Sequence, residues 1–128
     1  MTTPEYLRGA SPVTEKELIA RRLAAADREV ADPRRRAILY VLESGGSAGY
    51  PLLQRVTGLS LGGVKAHLDR LERAGYIEAL RFFTARDQAP PDGAARGVPR
   101  VSYRITGAGR SAYEGYMRLI AEAQEKLS

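Results

Sequence analysis

Four residues, Thr57-Gly58-Leu59-Ser60, constrain the fold more than any other part of the chain, because they end one helical pattern and begin the next with almost nothing between. Glycine readily adopts the left-handed backbone that terminates a helix, and a serine hydroxyl accepts from a free N–H in the first turn of the following one. Upstream, Tyr50 to Val56 reads as a short helix with Pro51 in its first turn and Leu52, Leu53 and Val56 buried. Downstream, Ser60 caps a helix that runs to about Ala74 and is closed by Gly75. Projected at about 100° per residue, Val64, Leu68 and Leu71 cluster on one side and must face the core. The other side carries Gly62, Ala66, Asp69, Arg70 and Arg73, with Lys65 on the flank.

The remaining punctuation sets the order of elements around this pair. Residues 1–12 hold Pro4, Gly9 and Pro12 without apolar periodicity and read as a loose arm, so the domain proper is 13–128. Thr14 and Glu17 form a capping box, Val13 can staple to Leu18, and Ile19, Leu23, Ala26 and Val30 make one apolar stripe, predicting a single helix over about 14–31. Asp32-Pro33 restarts the chain as N-cap and first helical residue, Ile38, Val41 and Leu42 face inward, and Gly45-Gly46 ends that helix. After residue 75 the period changes. Tyr76–Phe83 reads as extended, and Arg100–Ile105 alternates Val101, Tyr103 and Ile105 with Ser102 and Arg104. A polar tip with Pro90-Pro91-Asp92-Gly93 and Gly97 separates the two strands. Thr106 caps a last helix, about 106–127, in which Tyr113, Tyr116, Ile120, Ala123 and Leu127 repeat at helical spacing.

Three helices, a glycine turn before the third and an arginine-bearing hairpin form the order of a winged helix-turn-helix. The expected architecture is mainly α with a small β-hairpin wing: helix-turn-helix over about 50–74, wing over about 76–105, and amphipathic helices at both ends. With 128 residues and 44% apolar content, the chain supports one core. It has no Cys, which removes disulfides, thiolate metal sites and thiol redox sensing, and which fits a cytoplasmic protein. No signal peptide or membrane span is visible.

Charge points to the partner. The net charge is +5, and all of the excess falls within residues 32–104. Localised positive charge favours a polyanion, because neutralising phosphates releases condensed counterions. On the helix after Ser60, Gly62, Gly63 and Ala66 allow close approach to a duplex, and the free N–H groups near Ser60–Gly63 can meet a phosphate. Lys65 and Arg70 can donate to guanine, Ala66 can touch a thymine methyl, and Asp69 can accept from cytosine or orient Arg70. In the wing, Arg81, Arg86, Arg96, Arg100 and Arg104 are set against Asp87 and Asp92, so the wing can straddle the backbone. Asp69 with Arg73 also has the spacing of an ordinary solvated ion pair. Arg34, Arg35 and Arg36 oppose a helix dipole and call for an anion or carboxylate nearby.

Several motifs carry a family likeness: Asp32-Pro33-Arg34 with Ala37-Ile38-Leu39, Thr57-Gly58-Leu59-Ser60, His67-Leu68, Leu71-Glu72 and Ala74-Gly75-Tyr76-Ile77. The likeness continues through Pro99-Arg100, Tyr103-Arg104-Ile105-Thr106 and Gly109-Arg110. On these, the sequence over about 32–120 resembles the MarR/ArsR-type winged-helix transcription regulators. The resemblance implies repression or activation, with repression the expected sign, by homodimeric, sequence-specific binding of double-stranded DNA, with the first and last helices paired across a two-fold axis. It places recognition on Lys65 and Ala66, where Ser-Ser is common in the family. The dimer contacts then fall on Ile19, Leu23, Val30, Tyr113, Tyr116, Ile120 and Leu127.

His67, at the edge of the buried stripe, reads as a hydrogen-bonding structural residue. Metal sensing has no ligand set, with one His and no Cys, and no cofactor is called for. No nucleophile motif, phosphate loop or paired carboxylates mark an enzyme. Two alternatives remain: a winged helix used for protein contacts alone, and a regulator that takes a small organic effector near Tyr113 and Tyr116.

Overall fold

The computed structural model describes residues 13–82 and 100–127. Its elements, in chain order, are α1 (Glu15–Ala24), α2 (Arg28–Ala31), α3 (Pro33–Gly45), β1 (Ala48–Gly49), α4 (Tyr50–Thr57), α5 (Leu61–Arg73), β2 (Ile77–Phe82), β3 (Arg100–Ile105) and α6 (Gly107–Leu127). The arm 1–12 and the hairpin tip lie outside the described residues. Thr14 caps α1 by accepting from the Glu17 N–H at 3.1 Å.

The helix expected over 14–31 is broken. Asp27 turns its carboxylate back onto the N–H groups of Glu29 and Val30, at 2.8 and 3.3 Å, and starts the one-turn α2. A short acidic side chain at a cap competes with the backbone for those donors. The break lets Val30 leave the line of Ile19 and Leu23 and enter the core, where it is fully buried. Asp27 also accepts from the Tyr76 hydroxyl, which pins the break to the turn after α5.

The core lies between α3, α4, α5, α6 and the sheet, with Ile38, Leu39, Leu42, Leu53, Val64, Leu68 and Leu71 sealed from solvent. In α4 one of the three expected core residues is buried, Leu53; Leu52 and Val56 stand at 36% and 41% exposure. An eight-residue helix presents one line inward, and here that line is Tyr50, Leu53 and Thr57.

The three-stranded antiparallel sheet has the order β1-β3-β2. Its register pairs Ile77 with Ile105 and Phe82 with Arg100. The two-residue β1, absent from the sequence reading, sets Ala48 opposite Tyr103. Two residues are too few to show a period, so no pattern marked them.

Thr106 joins sheet to α6. Its hydroxyl donates to the Gly75 carbonyl at 2.6 Å and accepts from the Gly109 N–H at 3.1 Å. Gly109 then passes so close to Tyr76 that a Cβ would fall on the Tyr76 carbonyl oxygen and 2.9 Å from Ile105 Cγ1.

Candidate nucleic-acid interface

Helix α5 is built as its punctuation requires. Ser60 is extended at φ −66°, ψ 166°, and its hydroxyl accepts from the Gly63 N–H at 3.2 Å. Gly58 at φ 72° and Gly75 at φ 79° bound the α4 turn and the α5 end in the left-handed region. Val64, Leu68 and Leu71 are buried, while Ser60, Gly62, Lys65, Ala66, Asp69, Arg70 and Arg73 are all exposed. The two glycines differ. At Gly63 a Cβ would press on Leu59 at 3.2 Å, so packing within the chain already explains it. At Gly62 a Cβ would meet nothing nearer than the Ser60 hydroxyl at 4.0 Å, so nothing within the described chain requires the missing side chain.

The charged groups on this face are held from different directions. Lys65 Nζ lies 5.4 Å from the ring centroid of Tyr50, a cation–π contact that steers it along α4. Asp69 pairs with Arg73 at 2.9 Å, the ordinary i,i+4 pair, and not with Arg70. Arg70 instead reaches Glu29 of α2, Nε to Oε2 at 3.5 Å. Sequence reasoning missed Glu29 because its partner is 41 residues away and α2 was read as the tail of a longer helix.

The Arg34–Arg36 run divides likewise. Arg35 is 6% exposed and belongs to the interior: Nε donates to the Glu29 carbonyl at 2.8 Å, Nη2 to the Arg28 carbonyl at 3.2 Å, and Nη1 meets His67 Nδ1 at 3.0 Å. The Glu29 carboxylate, 3.4 Å from its Nε, is the anion that the run called for. Arg36 donates to the Tyr116 hydroxyl at 3.0 Å and lies over that ring. Because a guanidinium has no acceptor, His67 must accept at Nδ1, which requires the unprotonated nitrogen there. Burial pushes the His67 imidazole below its ordinary value; Arg35, Arg34 and Arg70 act in the same sense, and Asp32 opposes them. The structural role expected for His67 is the one this contact describes.

In the wing, Arg81 and Arg100 are exposed on β2 and β3. Arg104 is taken up by Glu78 directly across the strand pair, a carboxylate that the sequence count of wing charges left out. Arg86 and Arg96 lie outside the described residues.

The residues expected at a dimer contact are split. Val30 is fully buried and Tyr113 9% exposed in the chain's own core, and Ile19, 5% exposed, lies where α1 packs against α6, so these three offer almost no surface to a second copy. Tyr116 and Ile120 are half-buried, and Leu23 and Leu127 are exposed. Among the described residues no group of three or more His, Asp or Glu is placed to hold a metal ion, and no helix is long and apolar enough to cross a membrane.

The comparisons agree with this geometry. Residues 32–78 match the winged helix-turn-helix DNA-binding family. No curated protein matches the chain in sequence. Among solved structures, the chain is similar to wild-type apo MarR from E. coli at 19% identity and a TM-score of 0.55, covering 100% of this chain and 88% of that one. It is similar to YusO from Bacillus subtilis at 15% identity and a TM-score of 0.56, over 98% and 82% of the two chains. It is also similar to NadR in complex with 4-hydroxyphenylacetate at 19% identity and a TM-score of 0.57, over 99% and 84%. At such identities the likeness is one of fold. The chain therefore shares the fold of these MarR-like winged helix-turn-helix structures, and its residues 32–78 match the winged helix-turn-helix DNA-binding model.

Proposed function

We propose that the protein is a transcriptional regulator that binds double-stranded DNA sequence-specifically as a homodimer and represses the genes it binds. The observation that carries this reading is the division of α5: three apolar side chains are sealed inward, and the outward face is left small and cationic. Its exposed apolar surface is limited to Leu61, at 41% exposure, and Ala66, while its close backbone and its cations suit the major groove. Arg70 and Lys65 read base edges, the backbone at Gly62 approaches a phosphate, and Arg81 and Arg100 with the wing follow the strand beyond. The exposed edge of α1 and α6 at Leu23 and Leu127 supplies the contact between copies.

Mobility shift on mixed genomic fragments at two salt concentrations tests the reading. A shift that weakens with salt and survives random competitor is expected; a module for protein contacts alone shows none. Footprinting of the fragments retained then gives the half-site spacing, which for a dimer is about one helical turn of DNA or a multiple of it.

One further feature favours regulation by a small organic effector. A groove of about 450 Å³ between α3, α4 and α6 is lined by Arg36, Tyr40, Val41, Val56, Tyr113 and Met117. Its aromatic walls and single cation suit an aromatic acid. The complex of the similar NadR with 4-hydroxyphenylacetate supports the same chemistry. Calorimetry with aromatic carboxylates, with and without Arg36→Ala, tests it.

A further inference from the structure

We infer that Glu29, on the one-turn α2 and outside the recognition helix, is a positioning residue that sets the direction of Arg70 and so decides one base pair of the operator. This rests on the reading of α5 as the base-contacting helix.

The carboxylate is unusual in what it leaves open. Glu29 Oε2 is enclosed and makes no hydrogen bond of its own, yet it stands 3.4 Å from Nε of Arg35 and 3.5 Å from Nε of Arg70. The Nε–H of Arg35, the donor nearest this oxygen, is already committed to the Glu29 carbonyl, and Nη2 and Nη1 each bond elsewhere, to the Arg28 carbonyl and His67. Toward Arg35 the carboxylate therefore balances charge, and its unused acceptor capacity is available to Arg70. Arg35 is only 7% exposed at its side chain and fixes Glu29 from behind, whereas Arg70 is 62% exposed. Glu29 is thus anchored on one side and offers a handle on the other.

An arginine has two donor edges. With Nε turned toward Glu29, the Nη1–Nη2 edge faces away from α2, free to meet the paired acceptors of a guanine. A depression of about 310 Å³, lined by Glu29, Arg70, Arg73 and Ala74, gives the guanidinium room to swing when it is not held. Holding it before DNA arrives removes the entropy cost of ordering a long side chain on binding. The same carboxylate repels phosphate on every duplex alike, so it lowers overall affinity without choosing among bases, and the discrimination comes from the direction it gives Arg70.

The experiment selects bound sequences from a random duplex library with the full-length protein, then measures affinity for the selected and for random duplexes. The proteins compared are wild type, Arg70→Ala, Glu29→Gln, Glu29→Asp, and Glu29→Gln with Arg70→Ala. Gln keeps an acceptor for Arg35, and Asp keeps the charge while pulling the carboxylate back from Arg70; whichever of the two melts like wild type is used. We expect that variant to lose about fivefold or more of the preference at the base pair that Arg70→Ala also relaxes. Binding of random DNA should be unchanged or, for Gln, tighter, and the double variant should add no further loss. If Arg70→Ala relaxes a base pair and neither Glu29 variant does, or if the loss is equal on all sequences, the inference is overturned while the DNA-binding reading stands. If wild type selects no sequence, or Arg70→Ala changes none, the reading itself fails and the inference with it.

Discussion

Two exposed faces of this molecule differ in chemistry and therefore in the partner each can hold. The outward side of α5 shows Gly62, Ala66 and the cations Lys65, Arg70 and Arg73, with Asp69, Glu72 and Leu61 beside them, over a buried apolar stripe. The outer edge of α1 and α6 shows Leu23 and Leu127 at 38% and 78% exposure, around an apolar recess of about 170 Å³ walled by Ile19, Ala20, Leu23 and Ala123. Burying apolar surface yields about 25 cal/mol per Å² whatever covers it, which favours protein against protein. A cationic face with little apolar area gains instead from counterion release on a phosphate backbone. Exposure is common to both faces, and side-chain chemistry sorts them.

The strongest way to break this comparison is to make the two faces alike. Leu23→Glu with Leu127→Glu should weaken self-association by at least about 3 kcal/mol, because the lost burial is repeated on both copies. Light scattering should then report monomer, with the melting curve close to wild type. Deleting residues 1–30 is a poorer probe, since it removes Val30 from the core along with the Asp27–Tyr76 contact. Gly109→Ala attacks the joint that keeps both faces on one body. With a backbone carbonyl where the methyl must go, urea unfolding should show a loss of about 3 kcal/mol.

Smaller effects sharpen the contrast. Arg70→Ala should cost about 1–3 kcal/mol on the operator and much less on random duplex in competition binding. Gly62→Ala separates stability from function. The fold should gain up to about 1 kcal/mol from helix propensity, since the added methyl meets nothing, while operator affinity falls as the backbone is held off the duplex.

The smallest effect is a pH dependence. The folded His67 binds its proton less readily than the unfolded chain, whose imidazole titrates near 6.5. Its contribution to stability is therefore complete above that value and is lost as pH falls through the lower folded one. His67→Gln should flatten this part of the stability–pH curve, and NMR titration of the single imidazole should give a midpoint below 6.5.

Local features of the sequence were legible where one short segment carried the whole instruction. Thr14, Asp32, Ser60 and Thr106 accept from the first-turn N–H groups assigned to them, and Gly46, Gly58 and Gly75 sit at the helix ends with positive φ. The inward stripe of α5 was legible for the same reason, since thirteen residues are enough to show a period. Leu52 and Val56 were not, because in an eight-residue helix several apolar lines are equally consistent with burial and the neighbours choose among them. Asp27 reads equally well as a polar residue on a long helix or as the cap of a new one. Its bond to Tyr76, 49 residues on, belongs to the second arrangement.

Sequence by itself determined where helices begin and end, which side of α5 turns inward and where the positive charge accumulates, since each follows from interactions within a few residues. Tertiary structure alone decided which arginine is interior and which is presented. Arg34, Arg35, Arg36 and Arg70 are the same residue type, yet Arg35 is sealed beside His67, Arg36 rests on Tyr116 and Arg70 leans on Glu29. A guanidinium's role depends on the acceptors within reach, and for Arg35, Arg36 and Arg70 key acceptors come from elements 32, 80 and 41 residues away in the chain.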